Sequence, residues 1–169
     1  MFALVILSIL VGIGLILLTS RSTAPEIPVE ADALEAEKPE GVSAMEALTF
    51  DEFKALCTKL LEAMGLLFEP PKPINEREFD ISAVHPQPLL GGTYIVHCIY
   101  SIDGRPVPST RVIALGDTVK AERASKGLCI TNGYFAAEVG KYKEGPPLEL
   151  INARRFKELL DEYRIPLPA

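Results

Sequence analysis

Ala124-Ser125-Lys126-Gly127-Leu128-Cys129-Ile130-Thr131-Asn132-Gly133-Tyr134-Phe135 is the stretch whose reading decides the fold. Gly127 to Thr131 is a short apolar run. A basic helix end precedes it and Asn132-Gly133, a turn signal, follows it. A run without polar alternation fits a strand buried on both faces. Strands of that kind sit in sheets covered by helices on both sides, so the expected class is α/β with a mixed sheet.

The pattern extends in both directions. Upstream, Ser109 to Ala124 reads as a helix, entered through the turn Asp103-Gly104-Arg105-Pro106. Thr93 to Tyr100 and Phe79 to Val84 read as antiparallel strands, with Phe79, Ile81 and Ala83 on one face. Pro86, Pro88, Gly91 and Gly92 connect them, and His85 falls in that connection. Pro70-Pro71-Lys72-Pro73 reads as a loop after a short strand at Leu66 to Phe68. Thr49-x-x-Glu52 is a capping box that opens a helix with Phe50, Phe53, Leu56, Cys57, Leu60, Leu61 and Met64 at helical spacing. Gly65 is its stop. Downstream, a short helix after Phe135 leads to a strand at Leu148 to Ile151. A last helix follows from Asn152 or Ala153, with the stripe Phe156, Leu159, Leu160 and Tyr163, and Pro166 and Pro168 prevent its continuation. The expected order is α-β-β-β-α-β-(α)-β-α, an α/β sandwich over residues 49–169.

The N-terminus differs in kind. Phe2 to Leu18 is apolar except for Ser8, Gly12 and Gly14. A helix of that length spans about 25 Å, enough to cross a slightly thinned bilayer. An uncleaved membrane anchor over residues 1–20 is favoured over a secretory signal. No basic residue precedes Phe2, and Pro25 directly follows the small-residue site Ser22-Thr23-Ala24. Cleavage within residues 1–24 is the alternative. Arg21, the one basic residue close to the run, favours a cytoplasmic location for the body of the chain. Residues 21–48 are rich in Pro, Glu and Ala and lack apolar periodicity, so they read as an acidic linker.

Charge and cysteine content exclude several classes. The net charge is -6. Residues 1–48 hold two basic and seven acidic side chains, whereas residues 49–169 are nearly balanced with fifteen and sixteen. The acidity therefore belongs to the tether, and bulk charge gives no support for strong nucleic-acid binding. Cys57, Cys98 and Cys129 each lie in an apolar pattern without CxxC or Cys/His spacing. They read as buried thiols rather than a zinc site. No Gly-rich phosphate loop, Ser/His/Asp set or paired-carboxylate spacing is present.

The helix, Lys126-Gly127, apolar strand, Thr131, Asn132-Gly133 and Phe135 together resemble a segment of the Mrr-type restriction endonuclease family, within the PD-(D/E)xK nuclease superfamily. Leu148-Glu149-Leu150-Ile151-Asn152 with Phe156-x-x-Leu159-Leu160 resembles that family's closing strand and helix. The unit from Phe53 to Gly65-Leu66 resembles its opening. The resemblance covers residues 49–163 and implies a restriction-endonuclease-like fold. It also implies a site in which an Asp and a Gln or Glu hold Mg²⁺, while a Lys two residues on orients water or stabilises developing charge.

Matched position by position, Asp80 is the metal-binding Asp. Tyr94-Ile95-Val96-His97-Cys98-Ile99-Tyr100 is the catalytic strand, in which His97 replaces the Gln or Glu and Ile99 replaces the Lys. Lys54 stands where the first helix often carries an acid. Asp80 and His97 are the remaining metal-ligand candidates, although imidazole is a poor ligand for Mg²⁺. Each also has a plain reading, Asp80 as a surface charge and His97 as a satisfied histidine of the core or groove. Arg111 or Lys120, from the helix that follows, could replace the missing lysine.

Two functional readings stay open. The first is a membrane-tethered, catalytically inactive restriction-endonuclease-like domain, needing no cofactor, that binds DNA or a membrane or cytoplasmic protein. Its nucleic-acid candidates are Arg105, Arg111, Lys120, Arg123 and Lys126, which alternatively form a solvated helix face with Asp117 and Glu122. The second is a Mg²⁺-dependent DNA endonuclease with a rearranged site.

Overall fold

The computed structural model describes residues 45–87, 91–102, 104–141 and 145–168. The expected anchor at Phe2–Leu18 and nearly all of the linker lie outside the described residues. Among the described residues no helix is long and apolar enough to cross a membrane.

The elements in chain order are α1 (Phe50–Ala63), β1 (Leu67–Phe68), β2 (Lys72–Asn75), β3 (Glu78–His85), β4 (Gly92–Ile99), α2 (Ser109–Ala121), β5 (Lys126–Thr131), a 3-10 turn (Ala137–Lys141), β6 (Leu148–Ile151) and α3 (Ala153–Glu162). The sheet runs β1-β3-β4-β5-β6, with β2 also on β3. β3 and β4 are antiparallel, while β4, β5 and β6 are parallel. The sheet is therefore mixed, as expected, with helices on both faces.

Strand alternation divides the buried residues into two layers. Phe79, Ile81, Ala83, Val96, Cys98, Leu128 and Ile130 pack against α1 and α3. Ile95, Ile99 and Cys129 point the other way, to α2 and the 3-10 turn. Phe53 of α1 anchors the first layer, with its ring 5.7 Å from Phe156 and 6.1 Å from Phe79.

Local chemistry accounts for the boundaries. Thr49 Oγ1 accepts from the Glu52 backbone N–H, and the Glu52 carboxylate accepts from the Thr49 N–H at 2.7 Å, closing the expected capping box. Gly65 ends α1 at φ +77°, where a Cβ would be strained. Asn152 caps α3 by accepting from the Arg155 N–H at 2.9 Å. Gly133 is set by close approach, because a Cβ there would lie 2.6 Å from Ser101 Cβ. Beside it the buried Asn132 amide accepts from the Ser101 N–H and donates to the Ser101 and Met45 carbonyls. The Asn132-Gly133 turn thereby joins the ends of β4 and β5.

Three local expectations need correction. Lys72–Asn75 is a strand, where the sequence pointed to a proline loop. β2 lies on one side of β3 at the sheet edge, and Pro73 sits opposite Phe79 with the register shifting just after it. An edge strand tolerates the missing proline donor. α2 stops at Ala121, short of Ala124, because Arg123 turns left-handed at φ 53° and the Ala124 N–H returns to the Val119 carbonyl. His85 is the last residue of β3 instead of a loop residue.

Gly133→Ala should lower stability by about 1–3 kcal/mol through the forced contact with Ser101. Thr49→Ala should cost about 1 kcal/mol through the lost cap. Denaturant midpoints at unchanged slope check both.

Candidate functional site on the β3–β4 face

The antiparallel register sets Glu78 opposite Ile99, Asp80 opposite His97 and Ser82 opposite Ile95. These residues share the sheet face that carries α2. Three ionisable side chains thus meet beside an apolar layer: Glu78 and Asp80 two apart on β3, and His97 on β4. Arg111, in the first turns of α2, reaches Glu78.

His97 Nδ1 lies 2.6 Å from Asp80 Oδ1, a close bond in which the ring N–H donates to the carboxylate. The other ring nitrogen, Nε2, is 3.8 Å from Glu78 Oε2, beyond hydrogen-bond length. Arg111 Nη2 donates to Glu78 Oε1 at 2.9 Å. Among the described residues, the buried Glu78 Oε2 has no hydrogen-bond partner. The side chains of Glu78 and His97 are only 9% and 11% exposed, against 38% for Asp80 and 47% for Arg111. The cluster is therefore closed at its centre and open only at Asp80 and Arg111.

Ile99, at the expected lysine position, is 7% exposed and belongs to the apolar layer with Val107, Val112 and Phe135. Cys129 is the β5 neighbour of His97. Burial pushes its thiol well up, and the Cys98 thiol and then the Glu78 and Asp80 carboxylates add to the effect. Burial, followed by the adjacent Cys57 thiol, pushes Cys98 up as well. Both stay protonated at neutral pH and are unsuited to bind metal.

The donor set does not suit Mg²⁺. That ion takes oxygen ligands around an octahedron and keeps several waters. Here the Asp80 oxygen nearest His97 is engaged by the imidazole, Glu78 is neutralised by a guanidinium, and the centre is shut off from solvent. Among the described residues no three His, Cys, Asp or Glu side chains converge to hold a metal ion.

The structure thus brings Asp80, His97 and Arg111 together and leaves Ile99 in the core. Of the two cations considered as replacements for the lysine, only Arg111 arrives. Lys120 lies nine residues further along α2, about 180° around the helix at 100° per residue. Glu78 is the member of the cluster that the sequence reading passed over. Its spacing of two from Asp80 on a strand was the available signal, since such residues share a face.

The five basic candidates do not form one patch. α2 runs back between two parallel strands, which separates Arg105 and Arg111 at one end from Lys120, Arg123 and Lys126 at the other. Arg111 is paired with Glu78 and Lys126 with Glu149, whereas Arg105, Lys120 and Arg123 are exposed and form no such pair among the described residues. Arg77 joins Arg105 at the first end: it directly precedes Glu78, and its carbonyl accepts from the Tyr100 N–H at 2.8 Å.

Residues 45–160 match the Mrr_cat restriction endonuclease family. The chain belongs to that family. This restriction-endonuclease-like domain is also similar to two solved structures. One is the DNA modification-dependent restriction endonuclease AspBHI, at 15% identity and a TM-score of 0.46, with 85% of this chain and 46% of that one covered. The other is the MspJI restriction endonuclease in complex with a 27-mer oligonucleotide, at 12% identity and a TM-score of 0.46, with 78% and 29% covered. The chain therefore spans less than half the length of either. No relative is found among curated protein sequences.

The raised thiols carry a pH signature. Above the ordinary thiol pKa of about 8.5 the unfolded chain loses protons that the folded chain keeps. Stability should therefore fall as pH rises through that range. At pH 8 the folded protein should resist iodoacetamide at Cys98 and Cys129 and take it up after unfolding, as read by peptide mass.

Proposed function

We propose that this restriction-endonuclease-like domain binds nucleic acid without cutting it and is held at a membrane by Phe2–Leu18, with the domain on the cytoplasmic side. The observation that carries the non-hydrolytic part is the closed cluster on β3 and β4. Hydrolysis by this family's chemistry needs a carboxylate-held metal and a cation at the scissile phosphate. In this chain Glu78 is taken by Arg111, Asp80 by His97, and the lysine position by Ile99.

Nucleic acid is favoured as partner by family membership and by Arg77 and Arg105, exposed at the end where β3 begins and β4 ends. Two or three phosphate contacts from such residues make a weak, strongly salt-dependent binder. Arg111 is poorly placed to add another. Drawing it to a phosphate would strand the buried Glu78 carboxylate, at a cost of about 3–5 kcal/mol for a fully buried pair and less at this half-exposed arginine.

One observation favours the other reading, a Mg²⁺-dependent endonuclease with a rearranged site. A cation from α2 does enter the cluster, and Asp80 keeps an open side. Activity of that kind would require Arg111 to leave Glu78.

Both are tested with the purified full chain. Supercoiled plasmid with Mg²⁺ or Mn²⁺ should stay intact. A labelled duplex should be retained at low salt, with a log–log salt slope of about -2 to -3 that becomes shallower in Arg105→Ala. Metal-dependent nicking that disappears in Asp80→Ala would establish the endonuclease instead. Absence of DNA retention at low salt would point to a protein partner.

A further inference from the structure

We infer that Arg111 is the built-in counter-ion of this site, doing for Glu78 what a bound divalent cation does for the carboxylates of a metal-dependent nuclease. Glu78 is almost wholly buried at the margin of an apolar layer. A carboxylate in that position must be neutralised, since burying it alone costs far more than a fold can absorb. Three sources of positive charge exist: a metal ion, a protonated imidazole and a fixed side chain. The geometry selects the last. Arg111 Nη2 stands at 2.9 Å from Glu78 Oε1, whereas His97 is turned to Asp80 at 2.6 Å and stays 3.8 Å from Glu78.

The origin of Arg111 fits this role. It comes from α2, the helix that covers the same sheet face, so the ion pair also ties α2 to β3 across the apolar layer. A metal ion and the guanidinium would compete for the same carboxylate. With Arg111 in place the site is assembled without any cation from solution. With Arg111 removed, Glu78 and the open oxygen of Asp80 become a pair of carboxylates on one strand face, a much better divalent site.

This inference concerns the same site as the non-hydrolytic reading and depends on the chain not using a metal there. It does not depend on what the domain binds, and cation binding tests it separately from cleavage. The experiment compares melting of the full chain in EDTA and in millimolar Mn²⁺. The unmodified protein should melt at the same temperature in both. Arg111→Met should be destabilised in EDTA and recover by on the order of 5 °C in Mn²⁺, or fold only when Mn²⁺ is added. Glu78→Gln/Arg111→Met, which removes both charges, should fold and ignore Mn²⁺.

Two results would overturn the inference. One is stabilisation of the unmodified protein by Mn²⁺ as large as that expected for Arg111→Met. The other is an Arg111→Met chain indifferent to Mn²⁺ while the double variant folds.

Discussion

The Glu78 carboxylate is the constraint on which the site depends. It lies at the start of β3, next to the core and nearly out of water, so it has to be met by positive charge. Arg111 meets it, and in doing so sets where the first turns of α2 lie over the β3–β4 face. His97, between the two carboxylates, turns one ring nitrogen to Asp80 and leaves the other toward the unbonded Glu78 oxygen. Ile99 lies beside them in the apolar layer under α2. Glu78, Asp80, His97 and Arg111 together form a charge network whose solvent-facing edge is Asp80 and Arg111.

The two layers of the sheet divide scaffold from site. The face toward α1 and α3 is packed with aromatic and aliphatic side chains and ends in a capping box, a left-handed glycine and an asparagine cap. These features support a restriction-endonuclease-like fold whatever lies on the other face. The face toward α2 carries the ionisable cluster of Glu78, Asp80, His97 and Arg111. The scaffold and the ionisable cluster thus rest on different side chains of the same strands.

Much of the scaffold was legible in the sequence because it rests on local signals. The Thr49–Glu52 box, the helical stripe behind it and the apolar run through Leu128 depend on near neighbours alone. β2 was not legible. Pro73, following Pro70 and Pro71, suggests a loop, and the edge position on β3 makes it compatible with a strand. The site was half legible. Asp80, His97 and Ile99 could be aligned by their strands, and Arg111 was one of two cations the next helix could supply. Which of the two arrives, and that it pairs with Glu78, depends on the register of β3 with β4 and on the angular position of Arg111 on α2. Neither is written in a local pattern. The scattering of the five basic residues has the same origin, since a crossover helix puts its two ends at opposite ends of the strands.

On this reading a guanidinium, and not a divalent cation, balances the carboxylates of this site. The most direct measurement is a crystal structure of the protein grown in Mn²⁺, with an anomalous difference map at the manganese edge. Arg111 should lie on Glu78 and His97 on Asp80, with no anomalous peak within coordinating distance of either carboxylate. A manganese peak bridging Asp80 and Glu78, with Arg111 displaced, would contradict it.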